Sequence, residues 1–167
     1  NFEYNKINNV INANGNVKID NKSENYLIYA NNATYLKNEE LFLTKGQSRA
    51  IDEDIVIDAD NFEYNKIKNV INANGNVKID NKSENYLIYA NNATYLKNEE
   101  LFLTKGQSRA IDEDIVIDAD NFEYNKIKNV INANGNVKIK DPVNDYLILA
   151  KNATYYKNLE KIITNGD

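Results

Sequence analysis

Along most of the chain apolar and polar residues alternate at every second position, the period of a strand with one buried face. Gly75-Asn76-Val77-Lys78-Ile79 and Asp54-Ile55-Val56-Ile57-Asp58-Ala59 are two such runs, and Tyr26-Leu27-Ile28-Tyr29-Ala30 is a short strand that is apolar throughout. Tyr, Ile, Val, Phe and Thr supply these runs and suit a pleated surface. Asn and Asp separate them, and their short polar side chains compete with helical hydrogen bonding. One stretch, 34–43, has helical spacing, but Asn38-Glu39-Glu40 in its middle reads better as a turn between Tyr35 and Leu41. Turns, bulges or kinks are expected at Asn74-Gly75-Asn76 and Lys45-Gly46-Gln47, and hairpin tips at 20–23 and 65–69. Asp60-Asn61 should be a corner or bulge, because Ala59 and Phe62 cannot otherwise share a face. Phe62, Tyr64, Ile71, Ala73, Val77 and Ile79 should point inward. Val70 and Leu41 stay ambiguous, since Val70-Ile71 and Leu41-Phe42 put one residue on each face.

The pattern recurs. Residues 1–60 and 61–120 differ only at Asn8 and Lys68, and 121–139 copy 61–79. Such near-identity is what recent duplication or deliberate assembly leaves. Each copy also contains two related units, beginning at Ala30, Ala59, Ala90, Ala119 and Ala150, with a first unit that lacks only its Ala. A unit of this size offers two or three strands and a thin apolar strip, so neighbours must stack to bury it. The expected product is one elongated all-β domain over 1–167, in pairs of units 1–58, 59–118 and 119–167. A parallel β-helix is the alternative, but the hairpin-like Asn/Asp/Lys clusters inside each unit favour antiparallel pairing.

Composition narrows the function. The net charge is −5 and the sequence pI about 4.9, which argues against a nucleic-acid partner. Without Cys or His there is no disulfide frame, thiol nucleophile, His-based triad or histidine metal ligand. No apolar run approaches the roughly 18 residues of a membrane-spanning helix. The chain opens inside a motif with neither initiator Met nor signal peptide, as an excised or mature piece would.

The order Ala59, Asp60, Tyr64, then Ile71, Ala73, Gly75, Asn76, Val77 and Ile79 resembles the OstA-like repeat of the lipopolysaccharide-transport family, the LptA–LptD N-terminal periplasmic type. Six imperfect copies cover nearly the whole chain. The resemblance implies a V-shaped antiparallel β-jelly roll in the periplasm, non-catalytic, whose apolar groove shields the acyl chains of lipopolysaccharide. It also implies head-to-tail association through edge strands. The candidate groove residues are Phe2, Tyr4, Ile11, Val17, Ile28, Tyr35, Phe62, Tyr64, Ile71, Val77, Ile79, Ile88, Tyr95, Phe122, Tyr124, Ile131 and Val137. The near-identity of the internal copies departs from a carrier with two distinct neighbours.

Other readings compete at each motif. Small inward residues such as Ala33, Ala59 and Ala73 either leave room for a lipid or let the layers close up. A structural scaffold that self-associates without ligand is therefore the second reading. The tyrosine columns (Tyr4, Tyr64, Tyr124 and Tyr35, Tyr95, Tyr155) read as an amphipathic wall or as a stacked core ladder. Asp52, Glu53, Asp54, Asp58 and Asp60, with their copies 112–120, read as a solvated loop and outward positions rather than a calcium site. Paired-carboxylate catalysis would need one unique constellation, which identical copies do not offer. Lys18, Lys78 and Lys138 with Arg49 and Arg109 read as the polar strand face or as contacts to anionic headgroups. Asn32-Ala33-Thr34 and Asn21-Lys22-Ser23 fit a glycosylation sequon but read as turn chemistry. Tyr29 and Tyr89 are the outward aromatics on which a carbohydrate-binding solenoid would depend. No cofactor is implied. The open strand sequences at Asn1-Phe2-Glu3-Tyr4 and Ile162-Ile163-Thr164 predict end-to-end pairing, with the N-terminal edge the stickier.

Overall fold

The computed structural model describes residues 1–22 and 26–165. The first copy supplies β1 (Phe2–Asn5), β2 (Val10–Asn21), β3 (Tyr26–Leu36), β4 (Leu41–Lys45), β5 (Ser48–Asp52) and β6 (Ile55–Ala59). The second supplies β7 (Asn61–Asn65), β8 (Val70–Asn81), β9 (Tyr86–Leu96), β10 (Leu101–Lys105), β11 (Ser108–Asp112) and β12 (Ile115–Ala119). The third adds β13 (Asn121–Asn125), β14 (Val130–Asp141), β15 (Tyr146–Tyr156) and β16 (Lys161–Asn165). Every pairing among them is antiparallel, which removes the parallel β-helix.

The long strands belong to two layers at once. Residues 70–74 of β8 pair with β7, whereas its residues 78–81 pair with β6. Likewise β3 gives residues 26–29 to β5 and 32–36 to β4. One layer therefore runs β1–β2–β3–β4–β7–β8–β9–β10–β13–β14–β15–β16. The other runs β2–β3–β5–β6–β8–β9–β11–β12–β14–β15. We call them the long and the short layer; they form the antiparallel β-jelly roll that the family resemblance implies.

Of the long strands, β2, β8 and β14 turn from one layer to the other at an Asn-Gly-Asn sequence. The register slips between Asn74 and Val77, where Gly75 (φ 75°) and Asn76 (φ 50°) are left-handed. Glycine is required at Gly75, because an added Cβ would also collide with the Asp60 carboxylate. That carboxylate accepts from Asn76 Nδ2 at 3.0 Å. Main-chain bonds continue through the corner: Asn31 N–H to Gly46 O, Gly46 N–H to Asp60 O and Asp60 N–H to Gly75 O, at 2.9–3.0 Å, and again at Asn91, Gly106, Asp120 and Gly135. The corner is thus a hydrogen-bonded spine rather than a break. Buried Thr44 strengthens it by accepting from Phe62 N–H at 2.7 Å.

The stretch 34–43 is strand, turn and strand, as its central Asn-Glu-Glu suggested; the copy at Lys97–Glu99 makes a single 3-10 turn. Phe62, Tyr64, Ile71, Ala73, Val77 and Ile79 are all buried, while Val70 and Leu41 are half-buried. Two expectations need correction. Asp20 and Asn21, expected in a hairpin tip, continue β2, where Asn21 pairs with Tyr26; Ser23 lies outside the described residues. The sequon at Asn32-Ala33-Thr34 sits inside β3, not in a turn, and Thr34 Oγ1 donates to Asn12 Oδ1 of the neighbouring strand at 2.8 Å.

Candidate functional site

The seam between the layers collects most of the candidate groove residues. Ile28, Phe62, Tyr64, Ile71, Val77, Ile79, Ile88, Tyr95, Phe122, Tyr124, Ile131 and Val137 are buried. They belong to one continuous apolar cluster. Its large side chains touch: Tyr95, Phe102 and Tyr124 stack at centroid spacings of 4.1 and 5.9 Å, and Tyr35, Phe42 and Tyr64 at 4.1 and 6.1 Å. The two tyrosine columns are therefore, over the middle of the array, a stacked ladder within the core. Here the protein's own side chains occupy the seam.

The ends differ. Ile11, Val17 and Tyr35 are only half-buried. Phe2 is 71% and Tyr4 38% exposed, so these two do not line an enclosed interior. The reason is a slip between the layers. Long-layer hairpins lie against short-layer hairpins that come three hairpins earlier along the chain. Lys97 meets Asp52, Asn129 meets Glu84, and Lys157 meets Asp112. Tyr64 is covered by Tyr26, whose ring lies 4.7 Å away, and Tyr124 by Tyr86 at 5.0 Å. No described strand faces Tyr4 in that way. The long layer thus overhangs at the N-terminal end. At the other end the inward residues Tyr146, Ile148 and Ala150 of the short layer are left half-buried.

The slip also builds a row of polar clasps across the mouth of the V, opposite the spine. Lys97 Nζ lies 3.5 Å from Asp52 Oδ2 and 4.2 Å from the centre of the Tyr26 ring. One copy later Lys157 Nζ lies 3.1 Å from Asp112 Oδ1, and donates to the Glu84 carbonyl. Tyr155 donates to Asp112 Oδ2 at 2.8 Å. Between these, fully buried Asn81 donates to the Tyr124 hydroxyl at 3.3 Å. Burial holds the phenols of Tyr26, Tyr86, Tyr95 and Tyr155 well above the usual tyrosine range, and nearby carboxylates add to it. Tyr124 is pushed up to about 12, chiefly by burial. These rings stay neutral at physiological pH. Among the described residues, the hydroxyls of Tyr26 and Tyr86 are buried with no hydrogen-bond partner. Such orphaned groups oppose tight closure of the mouth, since each would gain by reaching water.

The clasps correct the reading of the acidic cluster as a solvated loop. Asp112 is buried and bonded from the opposite layer, and Asp52 is largely covered. Asp58 and Asp118 instead form bidentate pairs with Arg49 and Arg109 on the outer face. Asp60 and Asp120 brace the corner through Asn76 and Asn136. The clue in the sequence was the 45-residue interval from Asp52 to Lys97, repeated from Asp112 to Lys157. Only the slip gives that interval meaning. Chemically the seam offers apolar surface, neutral phenols and a removable polar closure. Among the described residues, no group of three or more His, Cys, Asp or Glu is placed to hold a metal ion.

No family model matches the sequence, and no curated protein does. Solved structures do match. One is the crystal structure of LptH of Pseudomonas aeruginosa, described as the LptA-homologous periplasmic component of the lipopolysaccharide transport device. The two chains superpose with a TM-score of 0.63 at 13% identity, over 70% of this chain and 86% of the other. The shared feature is the fold, an antiparallel β-jelly roll.

Proposed function

We propose that the chain is a non-catalytic bridge module of the lipopolysaccharide-transport type, working in the periplasm and carrying acyl chains along the seam. The observation that supports this best is the continuous apolar seam, running between two slipped layers in a fold shared with a transport component. Acyl chains would first lie on the uncovered inner faces, against Ile11, Tyr35 and Phe42 at one end or Tyr146 and Ile148 at the other. Each methylene taken from water contributes about 0.8 kcal/mol. Passage through the middle then requires the clasps to open, so that lipid replaces the contacts of Tyr64, Ile71 and Tyr124. Edge strands β1 and β16 would extend the seam by pairing with further modules. Register supports this: β16 is the counterpart of β4 and β1 of β7, and β4 pairs with β7.

Photo-crosslinking to lipopolysaccharide tests the reading. A photoreactive group at position 11 or 35 should label most strongly, one at 71 next, and one at outward Lys78 least. Equal labelling at 78 and 11 would refute the carrier. The tightly filled middle favours the second reading, a ligand-free scaffold. That reading is distinguished by melting with and without lipid A, since a ligand that binds only the folded state must raise the midpoint.

A further inference from the structure

We infer that the outer face of the short layer in the last copy is a docking surface for an anionic lipid bilayer. This is a site distinct from the seam and independent of the carrier reading.

The inference starts from charge. Units 1–58 and 59–118 each carry three more acidic than basic residues, whereas 119–167 has seven basic and six acidic. The difference is concentrated where the last copy departs from the others. In the first two copies a lysine on the outer face pairs with an aspartate two residues on: Lys18 with Asp20 at 3.5 Å and Lys78 with Asp80 at 3.6 Å. In the third copy Lys140 stands at the aspartate's place beside Lys138. Tyr89 becomes Leu149 and Asn91 becomes Lys151.

Register puts these changes on one face. Lys138 lies opposite Leu149 and Lys140 opposite Leu147, while Ile139 and Ile148 face inward. Leu147 is 55% and Leu149 69% exposed. Lys138, Leu149 and Lys151 line a shallow depression of about 500 Å³ with Asn136, Val137 and Ala150. The nearest cross-strand acid, Asp118, is already held by Arg109 at 2.6 Å. None of the three lysines forms an ion pair among the described residues. Exposed leucines ringed by unneutralised lysines match a surface that is negative at its headgroups and apolar just beneath them. A free anion would use the lysines but would leave Leu147 and Leu149 in water, so the bilayer is the occupant that satisfies both.

The test is co-sedimentation of the full chain with vesicles of 30% phosphatidylglycerol in phosphatidylcholine, against pure phosphatidylcholine. Binding to the anionic vesicles only is expected, weakening as salt is raised. Each of K138Q, K140Q and K151Q should lower the partition coefficient about fivefold, following the known contribution of a lysine near an anionic surface. Leu149→Ser should lower it further at constant charge, whereas Lys78→Gln should change it little. Retained melting midpoints show that the variants stay folded. Equal binding to both vesicle types, or K78Q acting as strongly as K138Q, would overturn the proposal. Loss of binding on charge removal with no effect of Leu149→Ser would reduce the site to an anion site and also overturn it. Failure here leaves crosslinking from positions 11 and 35 unaffected, so the two readings fall separately.

Discussion

Phe2 and Phe62 sit in the same local sequence, yet one is 71% exposed and the other 2%. Tyr4 and Tyr64 differ in the same way. Nothing within the repeat decides this; the neighbours do, since β7 has β4 beside it and the short layer across it, whereas β1 pairs with β2 alone and no described strand faces Tyr4. Burial in a stacked array belongs to the neighbour as much as to the residue. On the proposed carrier reading, the copy with covered inner residues is structural core, and the copy with open ones is where an apolar guest would start.

The sharpest way to break the comparison is to truncate the two phenylalanines. Phe62→Ala should cost about 3–5 kcal/mol in urea unfolding, and Phe2→Ala within about 0.5 kcal/mol. Equal losses would mean that the N-terminal overhang is covered in solution. A smaller contrast separates mouth from outer face. Asp112→Ala strands Lys157 and the Tyr155 hydroxyl and should cost about 2–3 kcal/mol. Asp58→Ala removes a solvent-exposed pair with Arg49 and should cost under about 1 kcal/mol. Paired thermal melts at low and high salt would show it.

At the corner, Gly75→Ala must adopt a left-handed φ and also displace Asp60 from Asn76, a cost of about 2 kcal/mol. Gly15→Ala meets nothing within 4 Å and pays only the left-handed penalty, about 1 kcal/mol. A further effect is with pH. The Tyr124 phenol titrates near 12 in the folded chain against about 10 when unfolded. Its contribution is therefore complete below pH 10 and is lost as pH rises toward 12. Tyr124→Phe should flatten that part of the plot of melting midpoint against pH; an unchanged slope would place the ring outside the core.

Much of the architecture could be read before any coordinates. Period-two alternation marked the strands, and Asn-Gly-Asn with Asp60-Asn61 marked the corners, because these signals are local. Ile71 and Val77 could be assigned inward for the same reason. What could not be read was the slip of one layer over the other, since it depends on how whole layers nest. For that reason the local pattern groups Phe2 and Tyr4 with Phe62 and Tyr64, and marks Asp112 as solvated. Lys138 was legible only as one more outward lysine until cross-strand register set it beside Leu149.

The main-chain spine along the corner fixes how such an array can gape. With hydrogen bonds threading Asn31, Gly46, Asp60 and Gly75 without interruption, the two leaves cannot slide or come apart as separate bodies. They can only swing, as covers swing on a binding. Lengthening the array adds fasteners along the fore-edge in proportion, while the first and last pages remain loose at any length. If the seam carries acyl chains as proposed, their traffic is gated from the extremities inward.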